Sequence, residues 1–178
     1  MRRALVFAAL ALLAGAPAAA TVAPGTTPGS ATGLSGAYDD HNAFARILKG
    51  TLPATKVYED SQVLAFMNIH PVSRGDLLVI PKQHARNLMD IRPSVLAHLM
   101  LVAQRLAKAQ AAALHPDGIF LRQNNGEAAD QTVFHFHLHV TPQYAGVPLV
   151  KTSYDQAPAD PAELARIAAQ IRAAMPAR

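Results

Sequence analysis

Cysteine is absent from this 178-residue chain. The chain therefore has no disulfide, no thiol nucleophile and no zinc site built from thiolates. A dense basic patch is absent as well. The sequence has 16 Lys and Arg against 12 Asp and Glu. Two of the basic residues, Arg2 and Arg3, lie in an N-terminal segment that we predict below to be cleaved; without them 14 basic residues remain, and the net charge is about +2. We therefore expect no nucleic-acid partner.

Internal repeats and the G-x-x-x-x-G-K phosphate-binding loop are also missing from the sequence. Solenoid folds and P-loop nucleotide hydrolases are thereby excluded. What remains is a chain with 51% hydrophobic and 16% charged residues, the composition of an ordinary soluble globular protein. Its length has room for one domain with a proper core.

The first 20 residues have the pattern of a secretory signal peptide. Arg2 and Arg3 give a short basic start, residues 4–13 are apolar, and Ala18-Ala19-Ala20 resembles an A-x-A cleavage site. We predict cleavage after Ala20 and a periplasmic or secreted protein. The apolar run is too short to predict a membrane span, so we expect no stable membrane anchor; an uncleaved N-terminal anchor is the alternative.

Three further segments follow the leader. Residues 21–37 are rich in Gly, Ala, Thr, Ser and Pro without a hydrophobic period, which predicts a flexible linker. Residues 38–150 contain most of the strand and helix patterns and form the predicted main domain. Residues 151–178 form a C-terminal extension with one helix, marked by an N-cap at Asp160 and a helix-start proline at Pro161.

The order of the predicted elements indicates an α+β domain. We expect a five-stranded antiparallel sheet, a long helix covering it and a C-terminal helix. The long helix is predicted over 94–114 from helical spacing of its apolar residues, and Leu77–Ile80 is a continuous apolar run typical of a strand buried on both faces. The remaining predicted elements are helices at 41–48 and 161–174 and strands at 56–58, 63–67, 119–121 and 132–142.

The segment from Thr132 to Pro142 carries a histidine at every second position. In an extended strand, alternate side chains share a face, so we expect a row of imidazoles on one side and an apolar row on the other. The imidazole row is His135, His137 and His139, and the apolar row is Phe134, Phe136, Leu138 and Val140. Only the middle ring has a neighbour about 6.6 Å away on each side, which makes His137 the focus.

Three interpretations of this row are open from the residues alone. The histidines are polar residues on a solvent face, or they form a nucleophilic and acid-base site, or they bind a metal through two imidazoles at i and i+2. A metal site would also need a third ligand from a carboxylate or another histidine. Imidazole is largely neutral at pH 7 and can attack without an added base, while a second imidazole carries the proton.

The sequence resembles the histidine-triad (HIT) superfamily of nucleotide hydrolases and transferases. The resemblance covers about residues 41–142 and implies a HIT-like fold, a nucleotide or nucleotide conjugate as partner, and a homodimer formed by the long helix and the next strand. We expect no cofactor and no bound metal. The matching stretches are Lys49–Ala54, Ala65–Pro71, Leu78–Lys82 with His84, Gln123–Gly126, Gln131–Val133 and His135–Val140.

The resemblance also implies residue roles. His137 would be the nucleophile that forms a nucleotidyl-histidine, His139 would bind the phosphate or leaving group, and the neighbourhood of His135 would orient His137. Four further residues would contact the nucleotide: Asn68, Asn124, Gln131 and Thr132.

This chain departs from the family pattern at several positions. Asp76 stands where the family has a histidine, Asp130 where a glycine is common, and Asn68 where an acidic residue often holds the ribose. The cysteine pair that binds zinc in some members is absent around Asn42 and Ala45.

The Asp76 carboxylate could affect the site in two opposite ways. Beside a phosphate the carboxylate would repel the substrate. Facing a histidine, it would raise the pKa of that histidine and fix the tautomer of its ring. Three functions therefore stay open: an active nucleotidyl hydrolase or transferase, a nucleotide-binding protein with weak catalysis, and a metal-binding protein.

Overall fold

The computed structural model describes residues 33–148 and 156–177. The predicted signal peptide, residues 21–32 of the predicted linker and residues 149–155 lie outside the described residues. The signal peptide and the exported location therefore stay predictions. In the part of the chain that is described, no helix is long and apolar enough to span a bilayer.

Eight regular helices and strands and one short 3₁₀ turn make up these described ranges. In chain order they are α1 Ala43–Leu48, β1 Lys56–Glu59, β2 Val63–Met67, β3 Leu77–Pro81, α2 Pro93–Leu114, β4 Gly118–Arg122, the 3₁₀ turn Glu127–Ala129, β5 Leu138–Gln143 and α3 Pro161–Ala173.

The five strands form one antiparallel sheet, which confirms the predicted α+β architecture. Their spatial order is β1-β2-β3-β5-β4. The last strand in sequence thus inserts between β3 and β4, where His139 lies opposite Leu78 on one side and Arg122 on the other. This places a histidine in the interior of the sheet rather than at its edge.

Both faces of the sheet are covered, and each face uses alternate residues of the same strands. Ala65 and Val79 point to the side of α2 and α3, where they join the larger apolar core. Leu64 and Leu78 point to the opposite side and pack with Phe44 of α1 in a smaller cluster. All residues of β2 and β3 are consequently buried, as the continuous apolar runs predict.

The two longer helices close the large core. Pro93 occupies the first turn of α2, and Leu99 and Leu106 on one face of this helix are fully buried. The α3 helix begins at its predicted cap, where the Asp160 carboxylate accepts a hydrogen bond from the Ala162 amide. Ile167 and Ile171 of α3 are buried in the same core, so the C-terminal extension packs onto the main domain.

The predicted strand over 132–142 is wrong in its first half, because β5 begins only at Leu138. Its neighbour β3 ends at Pro81, which offers no N–H to continue a ladder. The preceding residues are held instead by local contacts, such as the bond from the Phe136 amide to the Ala85 carbonyl. Phe134 is also not in the core; its ring lies 5.0 Å from the guanidinium carbon of Arg86.

Candidate functional site

A cavity of about 540 Å³ opens on the face of the sheet covered by α1. Its wall is largely apolar, as expected for a pocket that receives a flat, weakly polar group. The polar residues that reach it are Asn68, His70, Thr132, His137 and His139. The apolar ones are Ala43, Phe44, Ile47, Leu52, Pro53, Ala54, Phe66, Met67, Ile69, Leu78 and Val133.

His137 lines this cavity with one ring nitrogen already engaged. Its Nδ1 is 2.7 Å from the carbonyl oxygen of His135. Because a carbonyl only accepts, Nδ1 carries the proton and Nε2 keeps its lone pair. Burial, followed by the neighbouring His139, lowers the pKa of His137 to about 3. The ring is therefore neutral at pH 7, and its reactive nitrogen needs no base to free it.

His135 lies behind His137 and does not line the cavity. Its side chain is fully buried, and Nε2 donates to the Pro81 carbonyl at 2.9 Å. Burial lowers the pKa of His135 to about 4. The hydroxyl of Tyr38 bonds the other ring nitrogen, Nδ1. His135 thus supports the carbonyl that holds His137.

His139 is the second histidine at the cavity. It lies on β5, and its ring centroid is 5.5 Å from that of His137. Its Nδ1 is buried without a hydrogen bond among the described residues and lies 3.8 Å from Oδ1 of Asp76. The two rings are close enough to act on the two sides of one phosphorus centre.

Asp76 is fully buried beneath His139 and does not line the cavity. Oδ1 accepts a hydrogen bond of 2.7 Å from the Thr141 hydroxyl, and Oδ2 accepts one of 2.8 Å from the Asn68 amide and one of 3.3 Å from the Val72 backbone. This arrangement favours the second expectation for Asp76, in which the carboxylate faces a histidine.

Two of the four predicted nucleotide-binding residues reach the cavity. Thr132 is exposed at its wall, and Asn68 lines it with both amide atoms in use, since Oδ1 accepts from the His70 backbone. The side-chain amide of Gln131 is bonded to the Arg86 carbonyl at 2.6 Å, and Asn124 donates to the Asp130 carbonyl at 3.1 Å. Neither lines the cavity, so their contacts with a nucleotide stay predictions.

Asp130, where a glycine is common in the family, has a backbone conformation that few residues other than glycine adopt. Its φ of 61° and ψ of 28° place it in the left-handed region. Glycine adopts this conformation without strain, and Asp and Asn are among the few other residues that tolerate it. The exposed Asp130 therefore changes the turn that precedes Gln131 rather than the charge inside the cavity.

Two residues contribute to the site although they are not among the residues that the sequence predicts for it. Tyr38 gives no motif, although its hydroxyl reaches His135, 97 residues away. His70 falls within the matching stretch Ala65–Pro71 and has no role assigned there, but it lines the cavity, and its Nδ1 donates to the Gln156 carbonyl at 2.9 Å, which ties the C-terminal extension to the rim. Neither contact has a local sequence signal, because both join distant segments.

A metal site would need a cluster of ligands, and the described ranges contain none. Among residues 33–148 and 156–177, no group of three or more His, Asp or Glu side chains is arranged to hold a metal ion. Both ring nitrogens of His135 are engaged, Nε2 by the Pro81 carbonyl and Nδ1 by the Tyr38 hydroxyl, so this histidine has no nitrogen left for a metal.

The comparison with known families agrees with this geometry. The HIT domain family matches residues 49–146. The chain belongs to the HIT family. An uncharacterised HIT-like protein of Mycobacterium tuberculosis is 44% identical to this HIT protein over 103 residues, which are 58% of this chain and 72% of the relative.

Two further relatives bear on fold and activity. A crystal structure of a HIT-like protein from Bartonella henselae, described as involved in cell-cycle regulation, superposes with a TM-score of 0.73 at 38% identity and covers 78% of this chain and 99% of that one. The adenosine 5′-monophosphoramidase of Schizosaccharomyces pombe is 36% identical over 100 residues, 56% of this chain and 72% of the relative.

The buried histidines predict an acid-sensitive fold. In the unfolded chain each takes up a proton below its ordinary pKa of about 6.5. In the folded protein His135 and His137 stay neutral until pH values near 4 and 3. The contribution of the two neutral histidines to the free energy of unfolding is therefore fully present above pH 6.5, and it is lost as the pH falls below that value. Two protons give a slope of up to roughly 2.7 kcal/mol per pH unit.

Urea unfolding between pH 7 and pH 4.5 measures this slope. Because His137→Asn removes one of the two protons, that variant should lose stability about half as steeply as the wild type. Equal slopes in the two proteins would show that His137 is not held neutral by burial.

Proposed function

We propose that this HIT protein is a nucleotide-binding hydrolase that acts at the α-phosphate of a nucleotide conjugate, of the phosphoramidate or dinucleoside polyphosphate type. The observation that carries the proposal is the state of His137. Its ring is neutral, Nδ1 is bonded to a carbonyl, and Nε2 is free. The same ring lines an apolar cavity large enough for a nucleoside. The name of the S. pombe relative, a monophosphoramidase, supports the phosphoramidate type.

In the first step Nε2 of His137 attacks the α-phosphorus. A bond forms between nitrogen and phosphorus, and the bond from phosphorus to the leaving amine or phosphate breaks. His139, the adjacent ring, donates the proton that a poor leaving group needs. The product is a nucleotidyl-histidine at His137, with the proton on Nδ1 still bonded to the His135 carbonyl.

In the second step water attacks the same phosphorus. His139, now neutral, takes the proton from that water, and the bond between phosphorus and His137 breaks. A nucleoside monophosphate is released and both histidines return to their starting forms. If an acceptor other than water enters, the same intermediate makes the protein a nucleotidyltransferase.

The alternative proposals differ in what they predict for turnover and metal. A nucleotide-binding protein with weak catalysis would bind nucleoside monophosphate but release none from conjugates. A metal-binding protein would carry stoichiometric metal after purification.

A substrate panel separates these proposals. Adenosine phosphoramidates, dinucleoside polyphosphates and nucleotide sugars are incubated with the protein, and release of nucleoside monophosphate is followed by chromatography. We expect turnover of at least one class, with metal content below stoichiometry. Binding of nucleoside monophosphate without turnover of any conjugate would refute the hydrolase proposal.

We also propose that two copies pair through α2 and β4. β4 is an edge strand with unpaired backbone groups on its outer side. Leu101 on α2 is 62% exposed and Leu121 on β4 is 44% exposed, so both elements present apolar side chains.

Light scattering at micromolar concentration tests this pairing. The wild type should have the mass of a dimer, and Leu101→Lys should shift it toward the monomer because a buried charge destabilises an apolar interface. Leu88→Lys is the matched control, since Leu88 is 41% exposed and lies on neither element. A monomeric wild type would rule the proposal out.

A further inference from the structure

The chain N-terminal to α1 lies against the triad rather than away from it. The carbonyl of Leu34 accepts a hydrogen bond of 2.8 Å from the Asn87 side chain, and the carbonyl of Gly33 accepts one of 3.5 Å from Arg86. Residues 33–37 belong to the predicted flexible linker, yet this end of it is bonded to the domain. Tyr38 is thereby brought to the rear of the site.

Tyr38 is fixed at both its ring and its hydroxyl. The ring stacks on His84, with centroids 4.5 Å apart and planes 8° from parallel. The hydroxyl bonds Nδ1 of His135. Immediately after Tyr38, the Asp39 side chain accepts from the His41 amide and the Asn42 side chain caps α1. Tyr38 is therefore held between two anchored segments.

The two contacts of the His135 ring require one tautomer. Nε2 must carry the proton because its partner, the Pro81 carbonyl, only accepts. In the neutral ring Nδ1 is then a bare acceptor, which matches the Tyr38 O–H as donor. Desolvation by burial raises the pKa of Tyr38, so the hydroxyl keeps its proton at neutral pH. The opposite tautomer would set a lone pair against the Pro81 carbonyl.

We propose that Tyr38 is a positioning residue of the active site, whose hydroxyl holds the His135 ring in its Nε2–H form and thereby fixes the His135 carbonyl that orients His137. The inference rests on the proposed function. Tyr38 does not line the cavity, so its proposed role is indirect. Its effect reaches the reaction through His135, whose backbone oxygen lies 2.7 Å from Nδ1 of His137.

Tyr38→Phe in the full chain tests the hydroxyl while keeping the ring on His84. Tyr144→Phe is the matched control, because its hydroxyl also makes one hydrogen bond, to the Arg74 carbonyl, but lies outside the site. We expect kcat on an adenosine phosphoramidate to fall about tenfold in Tyr38→Phe, with KM within twofold, since the lost contact aligns the nucleophile and does not bind substrate. Tyr144→Phe should match the wild type.

Nitrogen NMR of the histidine rings provides a readout independent of turnover. In the wild type His135 should be the Nε2–H tautomer with a hydrogen-bonded Nδ1, and in Tyr38→Phe the Nδ1 signal should shift to that of an unbonded acceptor. Unchanged ring signals, or wild-type kcat in Tyr38→Phe, would overturn the proposal. If no conjugate is hydrolysed at all, the proposed function fails, and the ring spectra still decide the role of Tyr38.

Discussion

His137→Ala is expected to abolish turnover, with a loss on the order of 10⁴-fold or more, because no other group can form the covalent intermediate. The variant should still fold, since Phe136 and Leu138 keep the apolar side of this segment in the core. It should also still bind nucleotide, because most of the cavity wall is apolar and unchanged. Steady-state kinetics and nucleotide titration measure the two properties separately.

Two further variants make this prediction specific to the imidazole. His137→Gly with added imidazole should recover part of the rate, because a free ring can occupy the vacated space and attack phosphorus. His41→Ala is the matched control, since the His41 side chain is 93% exposed, and its turnover should equal that of the wild type. Wild-type turnover in His137→Ala would disprove the nucleophile assignment.

Asp76→Asn is expected to lower kcat by about 10- to 100-fold on substrates with a poor leaving group. The carboxylate lies 3.8 Å from Nδ1 of His139, and its negative charge attracts an N–H at that position, which leaves Nε2 of the ring to exchange the proton with the leaving group. An asparagine cannot do this, and its NH₂ would favour a bare Nδ1. Substrates with an activated leaving group need no proton and should lose less than about threefold.

The environment of Asp76 supplies the controls. Thr141→Val removes the hydroxyl bonded to Oδ1 and should give a smaller loss in the same direction. Asp117→Asn should be neutral, because Asp117 serves only an exposed turn through its bond to the Ala145 amide. An increase in rate for Asp76→His would instead place the carboxylate beside the phosphate, and no change in either Asp76 variant would remove it from the mechanism.

The elements that could be predicted from sequence are those with local causes. The α2 and α3 helices follow from apolar spacing and from Pro93 and Asp160 at their starts, and β3 follows from its apolar run. The same local pattern extends β5 too far, because alternation along a segment cannot show that the neighbouring strand ends at Pro81.

The parts of the site that could not be predicted depend on contacts between segments that are distant in the sequence. Asp76 receives its hydroxyl partner from Thr141, 65 residues away, only because β5 inserts beside β3. The contact between Tyr38 and His135 joins residues 97 positions apart, and no periodic pattern in the sequence predicts it. The choice of His137 as the focus needed only the spacing of the histidines, whereas its tautomer required the carbonyl geometry.

In the proposed mechanism His137 carries the nucleotide between two half-reactions. Single-turnover mixing with labelled adenosine phosphoramidate, quenching without acid, and peptide mass spectrometry test it directly, since a phosphorus–nitrogen bond to imidazole is lost in acid. We expect an adenylyl group on the peptide containing His137, formed and lost within one turnover and absent in His137→Ala. Turnover with no labelled peptide at any time, or with the label on another residue, would contradict it.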